Sequence, residues 1–111
     1  MTNPKIVCLC GSTRFYSEFQ EANFRETMAG NIVLSVGFYP HSVELAHSEG
    51  VGITAAQKED LDKLHLKKIE LADEVVILNV GGYIGFSTRR ELNHARALGK
   101  QVRFLEPEVG R

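Results

Sequence analysis

Two short stretches of the 111-residue chain combine small residues with side chains that could do chemistry. "CGSTRF", Cys10 to Phe15, sets Gly11, Ser12 and Thr13 ahead of a helical segment, with Arg14 beside them. "NVGGYIGFSTRRELNHA", Asn79 to Ala95, repeats the set with Gly81, Gly82, Gly85, Ser87, Thr88 and Arg89, and adds one carboxylate, Glu91. Small residues before a helix leave N–H groups free at the positive end of its dipole, which suits a phosphate or another anion. Neither stretch matches G-x-G-x-x-G or the Walker A pattern. The simpler reading makes Ser12 and Ser87 N-caps and the glycines turn residues. Glu91, one turn inside its helix, either answers the dipole or is placed to attack or stabilise an electrophilic sugar carbon.

The other candidates are fewer. His65 is one turn from Leu61 and Ile69, which fits a hydrogen-bonded structural histidine or a site residue equally well. His41 and His47 fall in an irregular stretch where solvent exposure is expected. Glu91 and His94 form an E-x-x-H pair, but a di-metal bundle needs that pattern twice. Cys8 and Cys10 point to one face of a strand, with poor geometry for a disulfide. Without a second cluster they fall short of a zinc site and read as buried apolar thiols. Neither a metal nor a cofactor is expected.

The elements that must hold these residues alternate. "KIVCLC" (Lys5 to Cys10), "IVLSVG" (Ile32 to Gly37), "EVVILNV" (Glu74 to Val80) and "QVRFLEP" (Gln101 to Pro107) read as strands. The continuous rather than alternating apolarity of the first belongs to a strand covered on both faces, and the third reads as buried too. Ser17 to Met28, Gln57 to Leu71 and Ser87 to Leu98 read as helices. In the first, Phe19, Ala22, Asn23 and Glu26 recur at helical spacing, with Phe24 and Met28 one turn apart. Leu61, Leu64, Leu66, Ile69 and Leu71 supply the apolar side of the second. Phe38 to Ala56 shows no period and is long for a connection.

The order β-α-β-α-β-α-β predicts an α/β fold, a small Rossmann-like or flavodoxin-like single domain over residues 1–111. Its four-stranded parallel sheet carries helices on both faces. With strand 1 between strands 2 and 3, the strand order reverses there. Ligands of open α/β sheets bind at such a switch point, outside the carboxyl ends of the strands. Both glycine- and hydroxyl-rich turns would then flank one crevice.

Composition excludes several classes. The chain is 43% apolar and 24% charged with a formal net charge of −1, so it lacks the basic footprint of a nucleic-acid-polymer binder. Its apolar runs are too short to cross a bilayer and Met1 to Lys5 leads into no signal-peptide core, so a cytoplasmic location is expected.

The segment "LADEVVILNVGGYIGFSTRRELNHARALGKQVRFLEP", with "CGSTRF" near the start, resembles the nucleoside 2-deoxyribosyltransferase-like superfamily, which includes the 2'-deoxynucleoside 5'-phosphate N-hydrolases. The resemblance covers most of the chain and is strongest from Leu71 to Pro107. It implies that the turn at Cys10, Gly11 and Ser12 helps bind a nucleoside or nucleoside monophosphate. It also implies that Glu91, in "TRRELNHARALGKQV", is the nucleophile at the anomeric carbon, and that the chain forms a homodimer whose neighbour helps complete each site. Phe15, Tyr16, Phe38, Tyr39 and Tyr83 are the aromatics available for such an interface. The sequence departs from the family at two points. No carboxylate lies between Val75 and Glu91, and His65 and Phe86 stand near positions where relatives carry an acid. Proton delivery to the leaving base therefore has no assigned residue. The alternative is a non-catalytic nucleotide-binding module that has kept the crevice without efficient chemistry.

Overall fold

The computed structural model describes residues 3–37 and 54–107. Within them run β1 (Ile6–Cys10), α1 (Tyr16–Met28), β2 (Ile32–Leu34), α2 (Ala55–Leu71), β3 (Glu74–Ile77), α3 (Phe86–Ala97) and β4 (Gln101–Phe104), with a 3-10 turn at Val80–Gly82. The strands pair in parallel in the order β2-β1-β3-β4, with Cys8 opposite Leu34 and Val75, and Ile77 opposite Cys10 and Phe104. The chain is an α/β domain of the expected class. Residues 38–53, with His41, His47, Phe38, Tyr39 and most of the irregular stretch, lie outside the described residues.

Alternation along β1 explains why helices cover both faces. Val7 and Leu9 point to one side, where they join Phe19 and Ala22 of α1 with Val76 and Leu78. Cys8 and Cys10 point to the other, where they pack with Ile69 of α2, Val75 and Ile77 of β3, and Leu92 and Ala95 of α3. Each fully buried Val, Leu or Ile contributes about 1.5–3 kcal/mol, so this two-sided packing is the main stabilising term of the central strands. No described helix is long and apolar enough to cross a membrane.

Several boundaries differ from the sequence expectation. β2 stops at Leu34 because the next carbonyl, Ser35 O, accepts from Lys68 Nζ of α2 at 2.7 Å. β4 stops at Phe104 because the Asn79 amide takes over the pairing. Its Nδ2 donates to Glu106 O and its Oδ1 accepts from Glu106 N, both at 2.9 Å. α2 begins two residues before Gln57, at Ala55, under a capping box in which Thr54 and Gln57 each accept the other's backbone N–H. Ser12 is not the N-cap of α1, which is Phe15. Ser87 is not the N-cap of α3, which is Gly85, and neither cap residue makes a side-chain capping bond. On α1, Phe19, Ala22 and Glu26 are buried as the spacing requires, whereas Asn23, Phe24 and Met28 face solvent.

Candidate functional site

A cavity of about 290 Å³ opens at the carboxyl ends of β1 and β3, where the strand order reverses. Turn geometry brings its walls together. After β1, Gly11 runs so close to β3 that a Cβ there would lie 3.1 Å from Leu78 Cβ and 3.3 Å from Leu78 O. After β3, Gly81 and Gly82 turn the chain with φ of 62° and 83°, a left-handed conformation that favours glycine. Gly81 N then donates to Glu106 Oε2 at 3.0 Å, which fixes the turn to the end of β4.

Of the residues singled out by sequence, Gly11, Ser12, Thr13, His65, Gly85, Ser87, Thr88 and Glu91 line this cavity. The structure does not bring Cys10, Arg14, Gly82 or Arg89 to its wall. Cys10 lies wholly buried beside His65. Arg14 stacks on Tyr83, 4.3 Å from the ring centre, and its Nη2 donates to the Tyr83 hydroxyl at 3.4 Å. Gly82 and Arg89 are exposed, the latter on the outer side of α3.

The helix N-terminus facing the cavity belongs to α3. Its first i to i−4 bond is Arg89 N to Gly85 O at 2.9 Å, so the N–H groups of Phe86, Ser87 and Thr88 precede the intrahelical ladder. All three of those residues line the cavity. α1 starts farther from the β1 turn. Ser12 there accepts from Arg14 N at 3.3 Å through its hydroxyl and from Phe15 N at 3.0 Å through its carbonyl.

Glu91 is buried on the cavity wall, and burial raises its carboxyl to about 7, helped by the negative charges of Cys8 and Asp62 and opposed by His65. Its Oε1 lies 4.0 Å from His65 Nε2 and has no hydrogen-bond partner. The same imidazole nitrogen is 3.7 Å from Cys8 Sγ and 3.4 Å from Cys10 Sγ. Burial lowers the His65 pKa, but its hydrogen bond to Cys8 and the charges of Cys8 and Glu91 outweigh that and raise it. The Cys10 hydrogen bond lowers the Cys8 thiol despite burial, and the Cys10 thiol is raised by that bond and by its own burial.

Sequence reasoning missed the contribution of α2. Lys58, Asp62 and Lys68 line the cavity together with His65. Asp62 accepts both its hydrogen bonds from Lys58 Nζ, at 2.9 and 3.0 Å. The signal was present: positions 58, 62, 65 and 68 recur at the spacing of one helix face. Asp62 thus places a second carboxylate at the cavity, although the stretch between Val75 and Glu91 has none. Asp73 is at the other end of the sheet, where its Oδ2 accepts from Ile6 N at 2.8 Å. Phe86 and Leu64, 80% and 52% exposed, form an apolar rim. No family model and no curated protein matches the chain.

Proposed function

We propose that the chain cleaves, or transfers a deoxyribosyl group across, the N-glycosidic bond of a nucleoside or nucleoside 5'-monophosphate, with Glu91 as nucleophile. The observation that carries this reading is a carboxylate sharing one cavity with two hydroxyl-lined turns and an open helix N-terminus, at a strand switch point. The likeness of Leu71 to Pro107 to the nucleoside 2-deoxyribosyltransferase-like superfamily supports it. The cavity is at the small end of ligand sites, about 300–1,000 Å³, which suits a ligand of nucleoside size.

In this mechanism the ligand's phosphate, or its 5'-hydroxyl, is held by the α3 N-terminus and the hydroxyls of Ser87 and Thr88. Binding there supplies energy for positioning the sugar over Glu91. As the base leaves with its bonding electrons, Glu91 stabilises the oxocarbenium-like carbon or forms an ester with it. Water or an acceptor base then takes the sugar. Asp62 is the carboxyl available to handle the proton at the leaving base. The setting proposed is cytoplasmic, where nucleotides are found and thiols such as Cys8 and Cys10 stay reduced.

Incubation with a panel of deoxynucleosides and their monophosphates, followed by chromatography for free base, tests the reading. Glu91→Gln keeps the side-chain shape and removes the charge, so base release should vanish while ligand affinity changes little. Unchanged turnover in this variant eliminates the nucleophile assignment. Binding without turnover in the unaltered protein favours the non-catalytic module.

A further inference from the structure

A C-x-C pair alone is two ligands short of a zinc site, but folding supplies a third donor from 55 residues away. His65 Nε2 lies 3.7 Å from Cys8 Sγ and 3.4 Å from Cys10 Sγ, and the three donor atoms all lie within 4.8 Å of one another. Zinc takes thiolate sulfur at about 2.3 Å and imidazole nitrogen at about 2.0–2.1 Å, which in a tetrahedron sets sulfur and nitrogen about 3.5 Å apart. Both observed separations agree with that edge to about 0.2 Å. A fourth oxygen is close by. Glu91 Oε1 is 4.0 Å from the same nitrogen, buried and without a hydrogen-bond partner. The corresponding nitrogen–oxygen edge is about 3.3 Å, so Glu91 Oε1 reaches a fourth position by moving in about 0.7 Å.

A cluster held only by hydrogen bonds accounts for the sulfur–nitrogen contacts but gives the buried Glu91 Oε1 no hydrogen-bond partner of its own. We propose that Cys8, Cys10 and His65 form a binding site for a thiophilic divalent cation of the zinc type, with Glu91 at the fourth position. Two sulfur donors select against magnesium and calcium, which take oxygen. The thiol protons leave to solvent as the metal–sulfur bonds form, and no atom changes oxidation state. The site stands independently of the glycosidic reading. It engages the same carboxylate, so a loaded chain would release no base.

The test uses the whole chain, reduced and stripped of metal, titrated with Co²⁺ and then Zn²⁺. The expected result is one equivalent of Co²⁺ bound with the strong visible bands of tetrahedral cobalt and a near-ultraviolet thiolate-to-cobalt band, both abolished by Zn²⁺. Only Cys8 and Cys10 can produce the thiolate band, because the sequence has two cysteines. Cys8→Ser and Cys10→Ser should each weaken Zn²⁺ binding in chelator competition by more than the roughly 10–100-fold that loss of an outer-shell partner costs. His94→Gln, which removes the exposed His94–Glu70 pair, should leave it unchanged. Should either serine variant fail to fold, the unaltered protein still decides. Absence of the thiolate band in the folded, reduced chain overturns the proposal, as does Zn²⁺ affinity equal to that of a folded serine variant.

Discussion

Glu91 and Asp62 share a cavity but have different surroundings. Glu91 is buried with an unpartnered oxygen, whereas Asp62 is tied to Lys58 on the rim side of α2. The proposed mechanism assigns Glu91 to the sugar carbon and Asp62 to the departing base. Asp62→Asn should then slow base release by about 10²-fold or more on a base that must be protonated to leave. It should spare a nucleoside whose base leaves readily as an anion. Equal losses on the two substrates, compared as kcat/KM, would make Asp62 merely the partner of Lys58. A second residue-scale prediction concerns stability. Arg103, 41% exposed, donates to both carboxylate oxygens of Glu74 and of Glu26, at 2.9 to 3.2 Å. Burial raises the Glu26 carboxyl, but the bonds from Arg103 and Asn31 outweigh it and hold the pKa below its usual 4.5. A depressed folded value means the stabilisation is present above the unfolded pKa and disappears as the pH falls through the folded one. Arg103→Met should cost on the order of 1–3 kcal/mol at neutral pH, toward the low end because solvent screens the guanidinium. The gap between the two proteins in urea midpoint should narrow on acidification below 4.5. A gap that stays constant with pH would assign the loss to packing of the arginine stem.

At the scale of elements, α3 does more than carry Glu91. Its N-terminus opens into the cavity without a side-chain cap, so an anion there meets the N–H groups of Phe86, Ser87 and Thr88. A charge-assisted hydrogen bond contributes about 1.5–3 kcal/mol, so a monophosphate should bind Glu91→Gln about tenfold or more tightly than its nucleoside. Calorimetry giving equal affinities would move the phosphate out of this mechanism. The sheet and the two turns were legible in the sequence because both express strong local rules. Buried parallel strands need unbroken apolarity, and tight turns need glycine. α2 was legible as a helix but not as a wall of the site. Leu61, Leu64, Leu66, Ile69 and Leu71 read as its inner side, yet Leu64 and Leu71 are exposed while His65 is buried among thiols. A helix that faces both the core and a cavity carries a mixed stripe, and apolar count alone follows only its core part. The direction of Arg14 was not legible for a related reason. Sequence adjacency to Gly11 and Ser12 says nothing of direction, and the guanidinium stacks on Tyr83 of the second turn, a residue of the cavity rim.

For the molecule as a whole, the apolar rim decides how readily water reaches the cavity. Phe15 is drawn into the monomer, packing on the α1 face of the sheet and edge-to-face with Tyr83 at 6.0 Å. Other apolar side chains among the described residues stay in solvent. Phe86, Leu64 and Tyr83 rim the cavity, and Phe24 and Met28, 68% and 70% exposed, lie on the outer side of α1. A two-fold interface buries the same patch on both subunits, and one built over the rim would exclude water from a glycosidic bond held against Glu91. The homodimer reading therefore predicts sedimentation at micromolar concentration as twice the 12.4 kDa chain. It also separates the two patches. Phe86→Ser should weaken self-association and base release together, because the rim is part of both. Phe24→Ser should leave base release intact unless α1 is the interface, in which case it dissociates the dimer and Phe86→Ser does not. A chain that sediments as a monomer and still releases base would show that the cavity works uncovered. A monomer that binds monophosphates without releasing base would instead fit the binding module.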